Sequence, residues 1–293
     1  MENGIAIQVV LPLALFTIML GVGMSLRVSE FSLLWRKPAV VLVGVLSQLL
    51  LLPLLGWVVV LCFQLPPVLA VGVMILTFAP GGATSNMITY LSRGDTALSV
   101  CLTAVSGFIT PFTMPILTVL TVSYWMGEEA AIEFPVMTTM VKLLLISLLP
   151  ALLGTLIHHR WPAFCGRIEP YVKVMACLFL VLVVFGIVKA NWVELPTLVL
   201  ELGPAVVVLV SLAMLLGYGV ARQMRLTTEQ GITMAVEVGI QNAAMALLVT
   251  GGILHNAEMS ASALIYGVLM NIPAFGLITY RFFTARILLK RSV

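Results

Sequence analysis

The chain has 293 residues, of which 61% are hydrophobic and 9% charged, a balance that excludes a soluble globular domain of ordinary composition. Its formal charge of +3 comes from 15 Lys and Arg against 12 Asp and Glu, with no basic cluster on one surface of the kind nucleic-acid binding needs. Cys62, Cys101, Cys165 and Cys177 are scattered without pairing motifs and read as packing residues, not as a disulfide or metal framework.

Nine stretches reach the roughly 20 apolar residues that a membrane-crossing helix requires. They run over 5–26, 38–63, 67–90, 96–125, 135–158, 169–190, 198–221, 228–253 and 258–288. The first begins after Glu2 without a basic flank or a convincing cleavage site, so it is expected to stay in the mature protein. Arg27, Arg36 and Lys37 follow it. The second span holds Gln48 beside Ser47, an amide that needs a partner or a cavity inside a membrane.

The third span carries Phe78-Ala79-Pro80-Gly81-Gly82-Ala83-Thr84-Ser85-Asn86, where Pro80 lacks a donor and two glycines relax the helix, so a break is expected. The short loop Arg93-Gly94-Asp95 reads as topology and helix capping. In the fourth span Ser99 and Thr103 stand four apart and share one helix face. Glu128, Glu129 and Glu133 follow that span, and Lys142 lies near the outer end of the fifth. Arg160, Arg167 and Lys173 come next, then Lys189 and Glu194 around the end of the sixth, and Arg222 and Arg225 after the seventh. The eighth span places Glu237-Val238-Gly239-Ile240-Gln241-Asn242 near its middle, and Glu258, Arg281, Arg286, Lys290 and Arg291 flank or end the ninth.

Lys and Arg gather in the odd-numbered connections and acidic residues in the even ones. Because cytoplasmic loops retain basic residues, the amino terminus is expected outside and the carboxyl terminus inside. The aromatic residues Trp35, Trp57, Tyr124, Trp125, Trp161 and Trp192 fall near the interfaces. His158, His159 and His255 sit at span ends and read as interfacial.

Glu237 is the only acidic residue near mid-membrane, where a charge costs about 2.5 to 3.5 kcal/mol on the insertion scale, so it is expected to have a task. A salt bridge to Lys142 or Lys189 is the structural alternative. The two interrupted spans are third and eighth, so they cross in opposite directions. Spans one to four and six to nine then form an inverted repeat, the pattern of a secondary transporter with a midplane site. Carboxylate, amide and hydroxyl oxygens suit a hard monovalent cation, sodium or a proton, with too few charges for a divalent ion. Half-helices starting near Ala83 to Asn86 and Ile240 to Asn242 would point positive ends inward and favour an anionic solute. Thr84, Asn242 and Asn271, near those starts, are the expected substrate contacts.

The Pro80–Asn86 segment, Thr89-Tyr90-Leu91-Ser92-Arg93-Gly94-Asp95, the Glu237–Asn242 segment and Gly21-Val22-Gly23-Met24-Ser25-Leu26 together resemble the bile acid:sodium symporter family. The resemblance covers essentially the whole chain. It implies an all-α polytopic membrane protein with a core, about 38–126 and 198–288, moving against a panel, about 5–26 and 135–190. It also implies two sodium sites: Ser85, Asn86, Ser99, Thr103 and Glu237 in one, and Gln48, Glu237, Gln241 and the Val238 and Ile240 carbonyls in the other. Bacterial members often have ten helices, and this chain reads as starting at the second. Ala83-Thr84 reverses the order expected of the family at a substrate-facing position. The implied substrates are bile acids, steroid sulfates or small carboxylates such as pantoate. The expected function is sodium-coupled import of a small organic anion across a bacterial inner membrane, with proton coupling on the same fold as the alternative and no obligate protein partner. No nucleophile–base pair, catalytic aspartate pair or HExxH motif points to an enzyme.

Overall fold

The computed structural model describes residues 10–26, 32–128, 134–190 and 192–291. Arg27, Glu129, Glu133 and the start of the first expected span lie outside these residues, as do the side chains of Lys173, Cys177, Arg286, Lys290 and Arg291. The described chain is all-helical, with no strand among the described residues. Its helices are α1 (Leu11–Ser25), α2 (Leu33–Arg36), α3 (Pro38–Cys62), α4 (Pro67–Thr77), α5 (Ala83–Leu91), α6 (Thr96–Met126) and α7 (Val136–Arg160). They continue as α8 (Pro162–Ala190), α9 (Leu195–Gln223), α10 (Thr228–Gly239), α11 (Ala243–Thr250), α12 (Ala257–Leu269) and α13 (Asn271–Arg291). Among the described residues, six helical runs are long and apolar enough to cross a membrane.

The interruptions expected from the sequence are present. Residues 78–82 separate α4 from α5, and residues 240–242 separate α10 from α11. The breaks touch one another, because the Asn242 N–H donates to the Ala79 carbonyl at 2.9 Å. A Cβ on Gly81 would lie 2.6 Å from Ser85 Oγ and 3.1 Å from the Ile240 carbonyl oxygen, so glycine permits this close crossing. The backbone groups freed by one break are therefore partly satisfied by the other, as a low-dielectric surrounding demands.

Two further irregularities have proline causes. Wide π-helical turns occupy Ser47–Leu51 in α3 and Leu144–Leu148 in α7. Each brackets the residue four before a proline, Leu49 before Pro53 and Ile146 before Pro150, so widening moves the carbonyl that the ring would strike. The ninth expected span is likewise divided at Met270, three residues before Pro273, which cannot donate to the Leu269 carbonyl. The helix expected to start at 169 begins at Pro162, so Arg167 lies within α8 and not in a loop; proline is favoured in a first helical turn.

α1 packs against α7 and α8, with Gly154 of α7 allowing the backbones to approach at Leu20 and Met24. His158 Nδ1 meets the Met24 carbonyl at the end of the same pair. α10 packs along α9, and α12 along α4. Almost every residue from Gln230 to Thr250 is buried, so the segment bearing Glu237 is enclosed by protein on all sides. Asp95 caps α6 by accepting from the Leu98 N–H at 3.0 Å, which accounts for the Arg93-Gly94-Asp95 loop. Cys101 and Cys165 are buried, whereas Cys62 is exposed.

Candidate functional site

Glu237 is fully buried, at 0% exposure, and both of its carboxylate oxygens are occupied. Ser99 Oγ donates to Oε1 at 2.6 Å, and Thr103 Oγ1 and Gln48 Nε2 donate to Oε2 at 3.1 and 3.3 Å. These partners are neutral. Lys142 and Lys189 are both exposed, so the salt bridge considered from the sequence is not made. Hydrogen bonds to an ionised group contribute about 1.5–3 kcal/mol each, while desolvating the ion costs on the order of several kcal/mol. Three neutral donors offset a cost of that size but bring no compensating positive charge to the carboxylate.

Proton counting points the same way. The Ser99 hydroxyl lies 2.7 Å from Asn86 Oδ1 as well as 2.6 Å from Glu237 Oε1, and one hydroxyl has one proton to give. Thr103 is in the same position, 3.3 Å from Asn86 Oδ1 and 3.1 Å from Glu237 Oε2. Oxygens of Asn86, Ser99, Thr103 and Glu237 thus converge with more lone pairs than hydrogens. That is a donor set for a hard monovalent cation.

A few residues away, Gln241 Nε2 donates to the Val238 carbonyl at 2.8 Å, while Gln241 Oε1 is buried without a hydrogen-bond partner. A buried acceptor left in this way costs on the order of 1–3 kcal/mol and fits a cation ligand. Ser85 is buried and donates to the Gly82 carbonyl at 2.9 Å, one residue from Asn86. Gln48 joins the cluster from the π turn of α3, and its Oε1 accepts from Ser106 Oγ at 2.7 Å. Val238 and Ile240 are buried at the end of α10 and in the break that follows.

Thr84, Asn242 and Asn271 line one cavity of about 910 Å³, which Thr17, Gly21, Val22 and Ser25 of α1 also line. Among the described residues, none of those lining it carries a charge. The starts of α5 and α11 both reach it, at Ala83 and Ala243. No side chain caps Gly82 at the start of α5, so the first amide groups of that helix face the cavity as an anion-favouring end. Asn242 Oδ1 is already used to cap α11, accepting from the Met245 N–H at 3.1 Å, which leaves its Nδ2 for other partners. Asn271 Nδ2 donates to the Gly267 and Val268 carbonyls at 2.9 and 3.1 Å. Asn86 belongs to the oxygen cluster around Glu237 and also lines this cavity, and Gln241, with its unpartnered amide oxygen, lines it as well.

Two participants escaped the sequence reading. Thr89 is buried with its hydroxyl 3.3 Å from Ser99 Oγ, and Ser106 holds the Gln48 amide. The signal for Ser106 was available. Ser99, Thr103, Ser106 and Thr110 recur at helical spacing on one buried face of α6.

Fold and site together define a multi-pass membrane protein of the transporter class. Residues 12–195 match the family described as "Sodium Bile acid symporter family". The chain belongs to the sodium bile acid symporter family, whose members are sodium-dependent transporters. It is 29% identical over 265 residues to "Uncharacterized sodium-dependent transporter YocS" of Bacillus subtilis (strain 168), covering 90% of this chain and 80% of that one. It is 32% identical over 240 residues to "Sodium/bile acid cotransporter 4" of Rattus norvegicus, 78% of this chain and 52% of the relative. To "Ileal sodium/bile acid cotransporter" of Homo sapiens it is 28% identical over 244 residues, 81% of this chain and 68% of the relative. The chain therefore spans about half the length of cotransporter 4 and four-fifths that of YocS.

Proposed function

We propose that this protein is a sodium-coupled symporter that imports a small organic anion across a bacterial inner membrane by alternating access. The observation that carries the reading is that Asn86 belongs both to the oxygen cluster around Glu237 and to the wall of the 910 Å³ cavity, which Gln241, with its unpartnered buried oxygen, also lines. An ion held by those oxygens changes the wall that the solute touches, which is the differential contact that coupling requires.

Two sodium ions are bound. Ser85, Asn86, Ser99, Thr103 and Glu237 hold one, and Gln48, Glu237, Gln241 and the Val238 and Ile240 carbonyls hold the other, with Glu237 common to both. Thr84, Asn242 and Asn271 contact the anion, whose charge is met by the starts of α5 and α11 and by the nearby sodium ions, since no Arg or Lys is among the described residues that line the cavity. Nine spans with an outside amino terminus form an inverted repeat, and a core of about 38–126 and 198–288 moves against a panel of about 5–26 and 135–190. Packing of α1 on α7 and α8, across the cavity from α5 and α11, supports that division.

The experiment is thermal stability of the purified protein in sodium against choline chloride at constant ionic strength, followed by uptake of organic anions into vesicles under an imposed sodium gradient. A saturable sodium-selective rise in Tm and gradient-driven uptake are expected. Stability that follows pH and ignores sodium would replace sodium by proton coupling. Ligand binding without accumulation would remove transport.

A further inference from the structure

We infer that Ser106 is a positioning residue of the second cation site, a two-way hydrogen-bond partner that lets the Gln48 amide turn over when sodium binds. This rests on the reading that Glu237 and Gln48 share a sodium ion. Gln48 is 1% exposed and sits between two groups, with Nε2 3.3 Å from Glu237 Oε2 and Oε1 2.7 Å from Ser106 Oγ. An amide nitrogen cannot ligate a cation, so an ion held jointly by this carboxylate and this amide needs Oε1 where Nε2 stands. The amide then rotates by about half a turn and brings Nε2 to face Ser106.

Whether that rotation is tolerated depends on what Ser106 is. Lysine or arginine there could only donate and a carboxylate could only accept, so either would favour one amide orientation and oppose the other. A hydroxyl donates to Oε1 in one orientation and accepts from Nε2 in the other, so the buried Gln48 amide keeps a partner at Ser106 in both. Gln48 lies in the π turn Ser47–Leu51, a helix irregularity that recurs at functional sites. The neighbouring hydroxyl, Thr110 Oγ1, is committed to the Ser106 carbonyl at 2.8 Å and does not take over this role.

The test is the half-saturating sodium concentration for stabilisation of the full-length protein, measured for wild type, Ser106→Ala, Gln48→Ala and the double variant. Ser106→Ala is expected to raise that concentration about tenfold, the effect of losing one buried hydrogen bond. The same change should add nothing in the Gln48→Ala background, where the Asn86, Ser99 and Thr103 oxygens still give a sodium response to measure. Ser106→Thr, which keeps the hydroxyl, is expected to restore the wild-type value, and Ser106→Val, of equal size without it, is not. The Thr/Val pair carries the comparison if Ser106→Ala does not fold. An equal shift with and without Gln48, or a change in Tm at zero sodium with the sodium midpoint unmoved, would overturn the assignment. Absence of any sodium response in wild type would instead overturn the underlying ion reading.

Discussion

Glu237 makes sense only with the residues that face it. Ser99 and Thr103 offer their protons to it at 2.6 and 3.1 Å, yet Asn86 Oδ1 competes for both. A cation resolves that competition by supplying positive charge where hydrogens are too few. Glu237→Ala is expected to abolish the sodium-selective rise in Tm, whereas Ser99→Ala and Gln241→Ala are expected to raise the sodium concentration needed by about tenfold, one ligand's worth of about 1.4 kcal/mol. Titrating Tm against sodium for the three variants distinguishes the cases, and small equal effects in all three would dismantle the shared-carboxylate arrangement. Much of this cluster was legible in the sequence, because a mid-span carboxylate and two hydroxyls four residues apart carry local signals. Ser106 and Thr89 were not picked out. The partnership of Ser106 with Gln48 spans 58 positions and exists only once α3 and α6 pack.

At the scale of elements, the breaks carry opposite chemistry at their two helix starts. α11 has a side-chain cap in Asn242, and α5 has none at Gly82. Asn242→Ala is expected to lower stability by about 1 kcal/mol through loss of that cap. Asn242→Asp keeps the cap and the Tm but places a negative charge on the cavity wall, so uptake of an anion should fall while stability does not. Thermal melts paired with uptake assays separate the two effects. Gly81→Ala is expected to destabilise by about 1–3 kcal/mol, since its Cβ would press on Ser85 Oγ and the Ile240 carbonyl. Gly107→Ala in α6, with nothing within 4 Å of the new carbon, should be neutral or slightly stabilising by the same melt. Pro80-Gly81-Gly82 announced its break in sequence, because proline and glycine act on their own turn. The wide turns before Pro53 and Pro150 were missed, since hydropathy windows register apolar length and are blind to how a helix accommodates a proline.

For the whole molecule, the expected orientation can be read chemically. In a Cys62→Ala background, Glu128→Cys should react with a membrane-impermeant thiol reagent added to intact cells, and Arg225→Cys should react only after the membrane is opened. The reverse pattern would invert the topology. Charge alternation made this expectation available from sequence, whereas the cavity between α1 and the two breaks depends on long-range packing that no local pattern encodes. The contact between the breaks has a consequence for biosynthesis. Ala79 leaves the ribosome long before Asn242, the residue whose N–H its carbonyl accepts. At about 5–20 residues per second, the amino-terminal break waits on the order of ten seconds in the nascent chain for its carboxyl-terminal partner. During that interval its polar backbone must be sheltered by water or by the insertion machinery, so a truncated chain ending before α10 is a natural substrate for membrane quality control.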